Sequence, residues 1–567
     1  MLIAYLLYII RSGLTLLGNL IKKGRRAPDY VMFTLHGSYP DLKEPPEGLL
    51  QRKMKGTVKS LQELETELKI VGDNPRVKGV IFQLGNLAMP FSRLQSLRYM
   101  IKKLQEKNKE VITWATSYDN PSYYLATAAD RILLQKGGVV YTLGLGSRPL
   151  YMKRALDWAG IKFDVVQISP YKSALERFIR SDMSEEVREM MTWLLDSQYE
   201  QLIGAISEER KIAKEEIDSF IEKTPYNGEE AVEAKAVDGI VNSDDLPEFL
   251  GTTQEPVKIA SWNECRKVFR RPLPPAPGKY IAVLRIQGNI VDGKSQRPPG
   301  RRPLPIPFLF NEQTGDITFV QQARMALKDK RARAVLLYID SGGGSAASSE
   351  AMSSTLSKIA AKKPLVAMMG SVAGSGGYYV ATPAAHIVAQ PSTITGSIGV
   401  ISAKIVNSDL LEKLLLNRET IQKGKRDLFG SPEEPFTEEE REQAWNFIKK
   451  IYDLFLKRVA DSRKMDIEDI DKIGGGRVWT GKQALENGLV DELGGLETAL
   501  KKLREMANLP ENTPVVEIPF PKRSFAPVPS ASTWVDFALD NLGQIQKNQA
   551  LLAGPLFFSI SPDQEAQ

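Results

Sequence analysis

The chain has 567 residues, 42% hydrophobic and 25% charged, which suits a folded protein of more than one domain with a sizeable core. Seventy-five Lys and Arg stand against 69 Asp and Glu, and a net charge of +6 is too small to point to nucleic acid, so none is expected as a partner. The single cysteine, Cys265, rules out an intrachain disulfide and a thiolate-rich metal site, and no metal or other cofactor is expected.

Residues 1–21, MLIAYLLYIIRSGLTLLGNLI, are the one strongly apolar segment, followed by Lys22, Lys23, Arg25 and Arg26. A membrane span needs about 20 apolar residues, yet Arg11 sits in the middle. Arg11, Thr15 and Asn19 recur every four residues, on one helical face. The pattern predicts an anchor within residues 1–27: a helix lying in a membrane interface with its basic flank among anionic headgroups, or a single span, with an ordinary core helix as the remaining alternative. A cleaved signal peptide would need a positive start and a small-residue cleavage site that the segment lacks. Membrane lipid is therefore an expected partner.

From residue 28 onward, short apolar runs such as GVIFQL and AVLLYI alternate with helical stretches such as SRLQSLRYMIKKLQEK and SEAMSSTLSKIAAKK. That order predicts an α/β fold of βα units around buried strands. The chain also repeats itself. YVMFTLHGSY from Tyr30 returns as YIAVLRIQGNI from Tyr280, YYLATAADRILLQ from Tyr123 as YYVATPAAHIVAQ from Tyr378, and NGEEAVEAKAVDGIV from Asn227 as TGKQALENGLVDEL from Thr480. Spacing this regular marks a tandem duplication. The expected division is an N-terminal repeat at 28–255, a Pro-rich linker at 256–279 containing RRPLPPAPGK, a C-terminal repeat at 280–510 and a tail at 511–567. Late in each repeat a long helix is predicted, opened by Ser184 or Thr437 and the acids that follow. The insert 293–310, GKSQRPPGRRPLPIPFLF, has no counterpart in the first repeat and reads as an exposed loop. Its GKS lacks the preceding glycine of a phosphate-binding loop.

The repeats differ where chemistry would sit. Ser375 in SVAGSGGYYVAT corresponds to Asn120, and Gly376 and Gly377 correspond to Pro121 and Ser122. Gly342, Gly343 and Gly344 follow a predicted strand and face FQLGNLAMPFS in the first repeat. Glycines at a strand end let the backbone approach a substrate and present N–H groups to an oxyanion. The N–H of Gly376, at a helix start, supplies a second donor. A Gly-Ser-Gly-Gly run can also be only a tight turn with a capping serine; the asymmetry between the repeats favours a nucleophile.

A serine hydroxyl needs a base. His36 and His386 alternate with apolar residues and read as strand histidines. A lysine can serve if burial lowers its pKa. Lys172, in QISPYKSALERF, lies 52 positions beyond Asn120, and Lys425, in IQKGKRDLFGS, lies 50 beyond Ser375, so each repeat offers a lysine in a similar loop. Either could instead be a solvated loop residue.

YKSALERF around Lys172, SVAGSGGYYVATPAAHIVAQPSTITGSIGV around Ser375, and GRVWTGKQALENGLVDELGG at 476–495 resemble the signal peptide peptidase A, or protease IV, family in its long two-repeat form, over roughly residues 28–510. The resemblance implies a serine endopeptidase of Ser-Lys type. Ser375 would be the nucleophile, Lys172 a base donated by the N-terminal repeat, and Ser397 a hydroxyl that holds the amine. It further implies tandem Clp-protease-like and crotonase-like βα superhelix domains with long peripheral helices, assembled as a bowl-shaped homotetramer on a membrane. The task implied is degradation of residual signal peptides in the bacterial envelope, on the extracytoplasmic side of the inner membrane; a plastid relative is the other possibility. Two features depart from the family pattern. Gly342 stands where a proline usually precedes the paired glycines, and KGKRD loosely resembles the lysine loop of the single-repeat form, which keeps Lys425 as the rival base. Two other classes compete: an acyl-CoA enzyme of crotonase type, which would not need Ser375, and a non-catalytic membrane scaffold, in which Ser375→Ala would change nothing.

Overall fold

The computed structural model describes residues 2–22, 26–43, 59–141, 143–274, 276–297, 312–419, 421, 423, 431–519 and 551–553. Lys425 and most of the 293–310 insert lie outside the described residues. The described residues form two compact units, one from residues up to Gly146 with Asp196–Gly278, the other from Ser147–Leu195 with those from Lys279 to Ala553.

In the first unit, Tyr30–Gly37, Gly79–Leu87, Glu110–Tyr118 and Arg131–Val140 pair in parallel, in chain order across the sheet. Their apolar runs are buried on both faces: Val80 and Phe82 belong to one core, Ile81 to another on the opposite side. The helix Leu61–Gly72 starts where Ser60 and Glu63 form a reciprocal capping box, and buries Leu61, Leu64, Leu68 and Val71. Each such fully buried side chain contributes about 1.5–3 kcal/mol. Asn120–Ala126, the counterpart of the Ser375 region, is a helix capped by Asp119.

The second unit repeats this plan. Tyr280–Val291, Ala332–Ser345 and Leu365–Gly374 are parallel neighbours, and His386–Ala389 and Ile394–Gly396 continue beside the last. The 26-residue helix Glu438–Arg463, capped by Thr437 and Glu440, packs Ile448, Tyr452, Phe455 and Val459 into the core. The expected α/β architecture of two tandem βα domains is therefore present.

Two stretches pack otherwise than the repeat boundaries suggest. Within 256–279, Ile259–Ser261 pairs with Tyr30–Met32 and Trp262, Cys265 and Phe269 enter the first core, because apolar side chains there gain more from burial than a linker would. Residues 147–195 belong to the second unit: Lys162–Gln167 runs antiparallel to Ile401–Val406 over six residue pairs. This backbone ladder carries the Lys172 loop into the unit that holds Ser375.

The segment Leu2–Lys22 is one helix. Asn19 bonds the backbone of Arg271 at 2.8 Å in both directions, and Lys22 Nζ donates to Phe269 O at 2.8 Å. Leu6, Ile9, Leu14, Leu17, Leu20 and Ile21 are all exposed. No helix among the described residues is long and apolar enough to cross a membrane.

Candidate active site

Ser375 sits between the end of the buried strand Leu365–Gly374 and the start of the helix Gly376–Tyr379. Its φ of 55° and ψ of −114° are sparsely populated for a residue with a side chain and cost of the order of 1–3 kcal/mol. The turn persists because the neighbours hold both ends: Ser375 N–H donates to Gly396 O at 2.8 Å, and Tyr379 N–H donates to Ser375 O at 2.8 Å. A strained strand-to-helix turn of this kind presents a hydroxyl away from its own backbone.

Lys172 reaches that hydroxyl. Its Nζ lies 2.7 Å from Ser375 Oγ, 2.8 Å from Ser397 O and 3.0 Å from Ser397 Oγ. All three residues are at most 1% exposed. Burial alone pushes the Lys172 amine well below its ordinary 10.5, since removal from water penalises the charged form.

The glycine run lies beside the serine. At Asp340–Gly343 the strand slips register against Tyr280–Val291, and Gly343 and Gly344 take φ values of 103° and 152°. A β-carbon at Gly344 would stand 2.0 Å from Ile290 O, so only glycine fits. A β-carbon at Gly376 would stand 3.1 Å from Gly343 Cα, which places the two expected donors side by side. Gly376 opens its helix, so its N–H has no acceptor within that helix. Gly343 N–H donates to Ser341 Oγ at 3.1 Å.

The edge formed by this run takes a strand. Leu551–Ala553 pairs antiparallel with Gly343–Ser345, and Leu551 also pairs with Ile401. An extended backbone thus fits beside Gly343.

A family model independently matches the chain at residues 103–255 and again at 357–510, together more than half its length; it is that of peptidase family S49. The chain belongs to peptidase family S49. The two matches fall one in each repeat, so this S49 chain is the doubled form, and it is a serine peptidase. It is 30% identical over 521 residues to "Serine protease SPPA, chloroplastic" of Arabidopsis thaliana, covering 89% of this chain and 76% of that protein. "Protease 4" of Salmonella typhi is 31% identical over 471 residues, 79% of this chain and 72% of its own. "Protease 4" of Haemophilus influenzae is 29% identical over 479 residues, 78% and 72% respectively.

Of the residues singled out in the S49 sequence, Ser375, Lys172, Ser397, Gly343 and Gly376 come together. Lys425 lies outside the described residues. His386 is a strand residue with Nε2 2.9 Å from Glu492, and His36 lies in the strand Tyr30–Gly37. Among the described residues no group of three His, Cys, Asp or Glu is placed to hold a metal ion. Sequence reasoning overlooked Ser341, whose hydroxyl accepts from Gly343 N–H and donates to Gly288 O at 2.5 Å. Its place immediately before a glycine run was the available signal. Reasoning from the sequence also overlooked the carbonyl of Ser397, because a main-chain acceptor leaves no mark in residue type.

Proposed function

We propose that Ser375 is the nucleophile of this serine peptidase and Lys172 its general base, with Ser397 holding the amine and Gly343 and Gly376 N–H groups receiving the oxyanion. The observation that carries this reading is the 2.7 Å separation of Lys172 Nζ and Ser375 Oγ in a site that strips the amine of water. An uncharged amine has two N–H bonds and one lone pair. The carbonyl of Ser397 can only accept, so one N–H goes there; Ser397 Oγ takes the second, and the lone pair faces the Ser375 hydroxyl.

The chemistry follows from that arrangement. Ser375 Oγ attacks a peptide carbonyl carbon while its proton passes to Lys172 Nζ. The carbonyl oxygen becomes an oxyanion, and Gly343 N–H exchanges Ser341 Oγ for it. On collapse the C–N bond breaks, the leaving amine takes the proton from Lys172, and an acyl-serine remains. Water then attacks the ester, giving its proton to Lys172, which returns one to Ser375 Oγ as the carboxylic product leaves.

The substrate class is an apolar peptide bound extended, such as a residual signal peptide. The antiparallel pairing of Leu551–Ala553 with Gly343–Ser345 supports this binding mode. Ala373 and Gly374, small residues preceding the serine, suit a narrow pocket for Ala or Leu. The exposed apolar residues of Leu2–Lys22 support attachment to a lipid surface, which flotation with anionic vesicles tests against a chain lacking residues 1–26. A homotetramer on the extracytoplasmic face of an inner membrane, or on a plastid membrane, belongs to the same reading; light scattering and protease protection test it.

Labelling with a fluorophosphonate followed by peptide mapping tests the central assignment. Modification at Ser375, absent from Ser375→Ala and reduced in Lys172→Ala, is the expected result. Modification confined to another serine overturns it.

A further inference from the structure

The loop Gly474–Arg477, whose last two residues open the stretch 476–495 singled out in the sequence but given no task so far, touches the Lys172 backbone, Ser397 and Ser169. Gly476, with φ of 94°, packs directly on the Lys172 backbone: a β-carbon there would stand 2.5 Å from Lys172 Cα and 2.6 Å from its N. Gly476 N–H donates to Ile398 O at 2.8 Å, and the adjoining Arg477 carbonyl accepts from Ser397 N–H at 2.6 Å. Ser397 in turn offers two of the three partners of Lys172 Nζ. The preceding Gly475 carbonyl accepts from Ser169 Oγ, in the turn closed by Lys172 N–H donating to Ser169 O at 3.0 Å.

The loop is itself held from outside the site. Gly475 N–H donates to Tyr452 OH at 2.9 Å, on the long helix Glu438–Arg463. The Arg477 guanidinium lies 4.0 Å over the Tyr171 ring, and Trp193 stacks on Trp479 at 4.9 Å with an interplanar angle of 11°. Gly399 closes the other side, where a β-carbon would stand 2.9 Å from Gly476 N and 3.1 Å from Lys172 Cδ.

We propose that Gly476 is a positioning residue for the base: its missing side chain lets the Lys172 backbone rest on the loop that also fixes Ser397, and so sets the separation of Nζ from Ser375 Oγ. This rests on the Ser-Lys reading above. A methyl group at Gly476 would press on Lys172 N, Cα and Cβ, none of them the far end of a flexible side chain, so the Lys172 segment must retreat. The amine then loses both its reach to Ser375 and part of its shelter from water.

Gly476→Ala tests this with a fluorogenic peptide amide carrying Ala or Leu before the cleaved bond. The expected result is a kcat reduced at least 100-fold, a KM within about twofold of the parent, and an acid limb of the pH–rate profile moved to higher pH as the amine regains water. A loss of folded protein alone would lower activity without moving that limb. Gly399→Ala, which presses on Lys172 Cδ and Gly476 with less overlap, should move both quantities the same way by a smaller step, and it decides the matter if Gly476→Ala does not fold. Gly475→Ala provides the strain control: its φ of 63° disfavours a side chain, but its nearest neighbours are the side-chain ends of Arg477 and Ser169 at 3.2 Å, so its acid limb should stay in place. An unmoved acid limb in Gly476→Ala, or in Gly399→Ala where the former is unfolded, overturns the proposal. Full activity in Lys172→Ala would instead overturn the Ser-Lys reading beneath it.

Discussion

Lys172 and Ser375 are 203 positions apart in the chain, yet Nζ of one lies 2.7 Å from Oγ of the other. Both are completely enclosed, and no carboxylate contributes to the depressed pKa of the amine. Desolvation therefore has to supply the whole effect.

Lys172→Ala should lower kcat/KM by about 10²–10⁴, the usual worth of a positioned general base. Lys172→Arg should be no better, since a guanidinium stays charged at any working pH and is too bulky for a filled site. Steady-state kinetics on an apolar fluorogenic peptide checks both, and a Lys172→Arg enzyme with more than a tenth of parental activity contradicts the base assignment.

The folded pKa of Lys172 lies below the unfolded value of 10.5. Between the two the folded chain holds a neutral amine while the unfolded chain binds a proton, so unfolding free energy rises with pH across that window, by at most about 1.4 kcal/mol per unit. Below the folded pKa the amine charges, the slope vanishes and activity is lost. Denaturant titrations of the parent and of Lys172→Met at several pH values should show this rising component in the parent only; parallel curves contradict it.

Ser397→Ala removes one of the three partners of Nζ and leaves the carbonyl at 2.8 Å. Losing one such hydrogen bond is worth about 1 kcal/mol, so kcat should fall by roughly fivefold to tenfold, far less than in Lys172→Ala. An effect as large as that of Lys172→Ala would mean that the hydroxyl, rather than the carbonyl, holds the amine.

Gly376→Ala would bring a methyl group within 2.7 Å of Ser349 Oγ and 3.1 Å of Gly343 Cα. Disturbing an oxyanion donor costs about 10²–10³ in kcat. The expected outcome is a fall in kcat with little change in KM, and a variant in which only KM rises would place Gly376 in substrate binding instead.

A chain ending at residue 548 lacks the strand that pairs with Gly343–Ser345. If a peptide uses the same edge, its KM should fall in the shortened chain, because no internal segment then competes. A raised KM would show that Leu551–Ala553 completes the groove rather than filling it.

Much of this protein was legible in residue order. Regular recurrence of whole motifs exposed the duplication, the period of apolar residues gave parallel strands and their covering helices, and the contrast between Ser375 and Asn120 singled out one repeat. These are local properties: side-chain size, backbone freedom and apolar spacing act over a few residues wherever the segment is placed. The Lys162–Gln167 ladder with Ile401–Val406 could not be read this way, and it carries the lysine loop out of its own repeat into the unit of the serine. Nor could the burial of Lys172, or the demand for glycine at position 476, since each depends on backbone brought from more than 200 residues away. The types of reacting group were thus decided by the sequence alone; their separation and the missing water, on which an amine's ability to act as a base depends, were decided only by tertiary packing.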